Sequence, residues 1–157
     1  MRHVISVQVE NKSGVLARVA GLFSARGYNI DSLAVSETEK KDISVMTIVV
    51  NGDDRIIEQV KKQLNKLIDV IKITDHTQLS SIQRELALIK VHATPTKRAE
   101  IYQLADIFKS EIVHISPNSI TLEVSGDTEK IDNFIELLKP YPIKELIRSG
   151  RISFLKE

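Results

Sequence analysis

Twice along this chain, stretches of period-two hydrophobicity and helical stripes follow one another in the order βαββαβ. That repetition restricts the fold more than any other feature. In the first round, residues 3–10 set Ile5, Val7 and Val9 on one face and Ser6, Gln8 and Glu10 on the other, which predicts a half-buried strand. Asn11-Lys12-Ser13-Gly14 breaks the alternation, and Val15, Leu16, Val19, Ala20, Leu22 and Phe23 then recur at helical spacing. Ser13 is the expected N-cap and Gly27 the expected residue just past the helix, which therefore covers about residues 14–26. Residues 28–37 and 43–51 read as strands joined by the polar turn Thr38-Glu39-Lys40-Lys41-Asp42. Asn51-Gly52 resembles a hairpin signal. Asp53 and Asp54 follow it, however, and then Ile56, Ile57, Val60, Leu64, Leu67 and Ile68 at helical spacing, so this is a strand exit and a helix start with acid at the positive end. Residues 69–77 close the round as a fourth strand.

After the short polar run 78–83 the same order returns. Residues 85–93 form a strand, Thr94-Pro95 opens a helix with Ile101, Leu104, Ala105 and Phe108 inward, and residues 111–116 and 119–125 are strands joined by Pro117-Asn118. Asp127 caps a helix carrying Ile131, Phe134, Ile135 and Leu138, and residues 143–156 are extended but broken at Ser149-Gly150. The expected organisation is thus a domain over 1–77, a linker at 78–83 and a second domain over 84–157. Each should form a four-stranded antiparallel sheet with two helices on one face, the ferredoxin-like arrangement of the α+β class. The bare face of each sheet is an argument for association.

Composition narrows the partners. Lys plus Arg number 22 and Asp plus Glu 21 in 157 residues, so the chain lacks the basic footprint of a nucleic-acid binder. There is no cysteine, which removes thiolate chemistry and Cys-ligated metals and fits the cytoplasm. The N-terminus has no signal-peptide core, and the apolar run 43–50 is far shorter than a membrane span. His3, His76, His92 and His114 lie at no metal-ligand spacing, and no P-loop, GxSxG or GxGxxG is present.

The best candidate site is the turn Asn11-Lys12-Ser13-Gly14-Val15-Leu16. Gly14 removes a side chain where a helix presents unpaired N–H groups, a natural place for a carboxylate, although a plain capping turn has the same composition. At the far end of the same helix, Asn29 in Gly27-Tyr28-Asn29-Ile30 carries both a donor and an acceptor suited to an amino acid's polar head, or else satisfies its own turn. A helix length, roughly 20 Å at 1.5 Å per residue, separates the two places. One small ligand can meet both only if Asn29 comes from a second copy of the chain.

The strings Val9-Glu10-Asn11-Lys12-Ser13-Gly14-Val15-Leu16-Ala17-Arg18-Val19, Gly21-Leu22-Phe23-Ser24 and Arg26-Gly27-Tyr28-Asn29-Ile30-Asp31-Ser32-Leu33 resemble the ACT domain of acetohydroxyacid synthase small subunits. The likeness continues through Met46-Thr47 and residues 58–70, and more loosely through Arg84-Glu85-Leu86 and Arg148-Ser149-Gly150. It implies a regulatory subunit without an active site. Such a subunit binds a branched-chain amino acid, valine foremost, at an ACT–ACT homodimer interface and imposes feedback inhibition on a catalytic large subunit. It also activates that subunit when no effector is bound. Thiamine diphosphate, Mg and FAD are expected on the catalytic partner and no cofactor on this chain. Asn11, Gly14 and Asn29 match the family's effector positions, with Val15, Leu16 and Ile30 as expected backbone contacts and apolar wall. His92-Ala93-Thr94-Pro95-Thr96-Lys97 offers no glycine, so the second half should hold no such site.

Three rivals stand beside this reading: an ACT-type sensor for another enzyme, an RNA binder of the same element order, and an acylphosphatase-like enzyme. RNA binding needs aromatics on the sheet. Aromatics are only 4% here, and residues 3–10 and 43–51 hold none. The acylphosphatase reading needs an arginine in the first loop, where Lys12 stands.

Overall fold

A computed structural model describes residues 1–157. The chain divides into two compact units, one of Met1–Ile82 with Ile152–Glu157 and one of Gln83–Arg151. The first contains β1 (Arg2–Glu10), α1 (Val15–Ala25), β2 (Ile30–Glu37), β3 (Ile43–Asn51), α2 (Asp54–Asn65) and β4 (Val70–Asp75). Its strands lie in the antiparallel order β2-β3-β1-β4. The period-two pattern fixes which face is dry: Ile5, Val7 and Val9 of β1 and Met46, Ile48 and Val50 of β3 are buried together. Onto them pack Val15, Val19 and Phe23 of α1 and Ile57, Val60 and Leu64 of α2. The opposite sheet face carries the cross-strand row Ala34, Thr47, Ser6 and Thr74, which is small and polar.

The second unit repeats the plan with β5 (Ser81–His92), α3 (Arg98–Ile107), β6 (Glu111–Ser116), β7 (Ser119–Gly126), α4 (Thr128–Leu138) and β8 (Ile143–Arg148). Its antiparallel order is β6-β7-β5-β8. Ala87, Ile89 and Val91 meet Ile120, Leu122 and Val124, covered by Ile101, Ala105, Ile131, Phe134 and Leu138. The arrangement is the α+β, doubly ferredoxin-like fold expected from the pattern. A short ninth strand, β9 (Ile152–Leu155), follows.

Three local expectations need correction. The capping position of α1 is Gly14, at φ 86°, and no side chain caps the helix. A left-handed glycine there leaves the Ser13 hydroxyl without a capping hydrogen bond. Residues 81–83 are strand, because backbone pairing outweighs a polar composition. Regular helix begins at Arg98, three residues beyond Pro95, since Thr94–Lys97 first closes a turn through Lys97 N–H to the Thr94 carbonyl at 3.0 Å. Ile152–Glu157 group with the first unit. There the Ser153 hydroxyl lies 2.6 Å from His76 Nδ1, and Lys156 N–H donates to the Ser80 carbonyl at 3.0 Å. No helix is long and apolar enough to cross a membrane.

Candidate functional site

The loop between β1 and α1 brings Asn11, Gly14, Val15 and Leu16 to one end of α1. With Gly14 left-handed and no side-chain cap, no acceptor of the chain meets the N–H groups of Leu16 and Ala17, while Val15 N–H reaches the Lys12 carbonyl at 3.4 Å. These are the orphan donors of a helix start, facing outward beside an exposed glycine. Asn11 is held in place: its backbone N–H donates to the Asp42 carbonyl at 2.8 Å and its side-chain amide to the Lys41 carbonyl at 2.8 Å. The β2–β3 turn therefore fixes which way Asn11 points, leaving its side-chain oxygen as an acceptor.

Val15 is 3% exposed and belongs to the core, so only its backbone is available to a ligand. Leu16, 43% exposed, is the apolar side chain actually presented at the surface. Asn29 and Ile30 stand at the other end of α1, after Gly27 reverses the chain at φ 73°. The exposed Asn29 donates to the Asp31 carboxylate at 3.3 Å, again leaving its side-chain oxygen free, and Ile30 packs half-buried against the core. A single protomer does not bring the two groups of residues together.

Charge surrounds the loop. Lys12 Nζ lies 2.8 Å from Glu10. That hydrogen bond, reinforced by the charges of Glu10 and Asp69, holds the Lys12 ammonium above its ordinary value. Sequence reasoning missed the group nearest the glycine. One helical turn on, Arg18 directs its guanidinium back over Gly14, so that a β-carbon at Gly14 would lie 3.0 Å from Arg18 Nη1. Asp69, 17% exposed at its side chain, accepts from Arg18 Nε at 2.9 Å and Nη2 at 2.7 Å. The spacing of four between Gly14 and Arg18 was the available signal.

Two of the four histidines are buried. His3 is buried against the Gly52 carbonyl at 3.1 Å, and His76 is 5% exposed. No group of three His, Asp or Glu side chains is placed to hold a metal ion.

Residues 5–72 match the model of the AHAS small subunit-like ACT domain, and residues 84–157 match that of the small subunit of acetolactate synthase. The chain is 56% identical over 156 residues to a probable acetolactate synthase small subunit of Archaeoglobus fulgidus, covering 99% of this chain and 98% of that one. It is 51% identical over 158 residues to the acetolactate synthase small subunit of Aquifex aeolicus, covering 99% and 82%. The crystal structure of the acetolactate synthase small subunit from Thermotoga maritima superposes with a TM-score of 0.90 at 38% identity, over 100% of this chain and 98% of that one.

Proposed function

This chain belongs to the family of acetolactate synthase small subunits. From that premise we propose that it senses a branched-chain amino acid, valine foremost, between the ACT domains of two protomers. It passes feedback inhibition to the catalytic large subunit, and without effector it activates that subunit. The acetolactate chemistry, with thiamine diphosphate, Mg and FAD, resides on the partner.

One observation carries the reading: a helix start whose N–H groups are unanswered, opened by a left-handed glycine beside an anchored asparagine. The effector's carboxylate meets the N–H groups near Gly14, Val15 and Leu16. Its ammonium lies between the side-chain oxygens of Asn11 from one protomer and Asn29 from the other. Leu16 and Ile30 wall its side chain. Because the ligand touches both chains, it favours one arrangement of the pair, and a coupling of about 1–3 kcal/mol suffices to regulate the partner. An apolar wall separates valine from leucine or isoleucine by only about 1–3 kcal/mol per methylene.

Calorimetric titration of valine, leucine and isoleucine into the chain, alone and with its catalytic partner, tests this. Gly14→Asp should abolish valine binding and relieve feedback inhibition while the dimer persists. Undiminished valine binding by that variant, or a monomeric wild-type chain, would remove the site.

A further inference from the structure

Arg18 is tied down by only half of its fork. Nε and Nη2 both point at Asp69, at 2.9 and 2.7 Å, which sets the plane and direction of the guanidinium. Nη1 has no acceptor in the chain and is the atom closest to the space that a β-carbon on Gly14 would occupy. The helix dictates this placement, because side chains on a helix lean towards its N-terminus and position i+4 lies over position i. Asp69 in turn is fixed by the backbone just before β4, where its carbonyl accepts from Glu10 N–H at 2.9 Å. A half-exposed arginine pair of this kind contributes little to stability. Its geometry matters more than its strength.

We propose that Arg18, oriented by Asp69, is an effector-binding residue: its free Nη1 receives the carboxylate of the amino acid above Gly14. This rests on the sensing role proposed above and adds to it the cation that the carboxylate meets. The loop then recognises an anion in two ways, through backbone N–H groups and through a fixed guanidinium. Gly14 acquires a second reason to lack a side chain, since any β-carbon would stand between Nη1 and the ligand. On this reading an acidic side chain at Gly14 should be the most damaging substitution. An aspartate side chain there would pair with Arg18 itself, in the place of the ligand.

The test compares valine with valinamide, which keeps the side chain and ammonium but lacks the charge of the carboxylate. Both are titrated into the full-length wild-type chain, Arg18→Gln, Arg18→Lys and Gly14→Asp. Arg18→Gln should weaken valine about 10- to 100-fold, the worth of a hydrogen bond to a charged group, and leave valinamide nearly unchanged. The valine-to-valinamide ratio therefore collapses. Arg18→Lys should fall between, because an ammonium cannot hold Asp69 and a ligand in one plane. Wild-type affinity in Arg18→Gln overturns the proposal, as does an equal loss for both ligands, which would mark a merely structural role. If Gly14→Asp abolishes valine binding while Arg18→Gln keeps the ratio, only the role of Arg18 fails. If Gly14→Asp binds valine normally, the sensing site itself fails.

Discussion

The two halves of the molecule share their irregularities and differ in their chemistry. Register shifts fall at Gln8/Val9 and Lys90/Val91, and again at Ile30/Ser32 and Ile112/His114, each pair 82 positions apart. Under that offset Ile5, Val7 and Val9 correspond to Ala87, Ile89 and Val91, all buried. Gly14 corresponds to Thr96, and Arg18 to Glu100. In the second half the turn is closed by Pro95, by Lys97 N–H to the Thr94 carbonyl, and by the Thr94 and Thr96 hydroxyls 3.1 Å apart. Glu100 accepts from the Tyr141 hydroxyl at 2.5 Å and puts a carboxylate where the first half has a guanidinium. Bulges and core positions belong to the fold and persist in both halves. The open loop and its charge are grafted onto one of them.

The cores sharpen the comparison most. Helices α2 and α4 align with an offset of 74, from Ile57 to Ile131, Val60 to Phe134 and Leu64 to Leu138. Phe23 on α1 with Val60 on α2 thus answers to Ala105 on α3 with Phe134 on α4. The large ring has changed helices, and in the second unit it stacks against Phe108 with centroids 4.9 Å apart. Phe23→Ala should destabilise the protein by about 3–5 kcal/mol in denaturant titrations. Adding Val60→Phe returns four of the six side-chain carbons removed and should restore at least about half of that, because cores tolerate exchanges that nearly keep volume. A double variant no more stable than the single one would show that the two cores are not interchangeable solutions.

How much of this was legible depends on where the deciding atoms lie. Strand β1 and the caps at Asp53 and Asp127 were readable because local residues decide them: alternation in the first case, a carboxylate accepting Ile56 or Lys130 N–H at 2.8 Å in the others. Ser13 misled because the cap depends on the torsion of Gly14 rather than on the presence of a hydroxyl. The early start of β5 and the grouping of Ile152–Glu157 with the first unit depend on partners distant in sequence, such as Ser153 with His76. Asp69 is 51 positions from Arg18, so only the arginine's place over Gly14 could be read in advance.

A smaller contrast concerns acid. The first unit buries His76, whose imidazole is pushed below its ordinary value of 6.5 by burial, with Asp75 opposing. In the second unit His92 is half-buried and His114 exposed. Burial favours the neutral imidazole of His76 in the folded chain, while the unfolded chain takes up its proton near pH 6.5. Stability contributed by this group is therefore present above about pH 6.5 and lost as pH falls from there through the lower folded value, by at most about 1.4 kcal/mol per pH unit. Hydrogen exchange between pH 7 and 5 should show the first unit's amides losing protection sooner than the second's. His76→Gln, which can still hydrogen-bond to Ser153, should remove most of the difference. Equal acid sensitivity of both units would break the contrast.

The smallest predicted effect lies where the halves solve one problem with different residues. Helix α1 ends with Gly27 at φ 73°, Gly27 N–H reaching the Ser24 carbonyl at 3.1 Å and Tyr28 N–H the Phe23 carbonyl at 2.9 Å. Helix α3 ends the same way with Lys109 at φ 53°, through bonds to Asp106 at 3.2 Å and from Ser110 to Ala105 at 2.8 Å. A β-carbon on Gly27 would meet nothing within 4 Å, so Gly27→Ala carries only the left-handed backbone cost, about 1 kcal/mol. Lys109→Gly should stabilise by a similar or smaller amount, since glycine's extra freedom when unfolded offsets part of the relief. The opposite signs are the check, read as paired shifts in denaturant midpoint. The pair also isolates function, because Gly27 stands two residues before Asn29 and Lys109 has no such neighbour. If Gly27→Ala weakens valine binding by more than its loss of stability explains, the glycine is there to aim Asn29 at a second protomer.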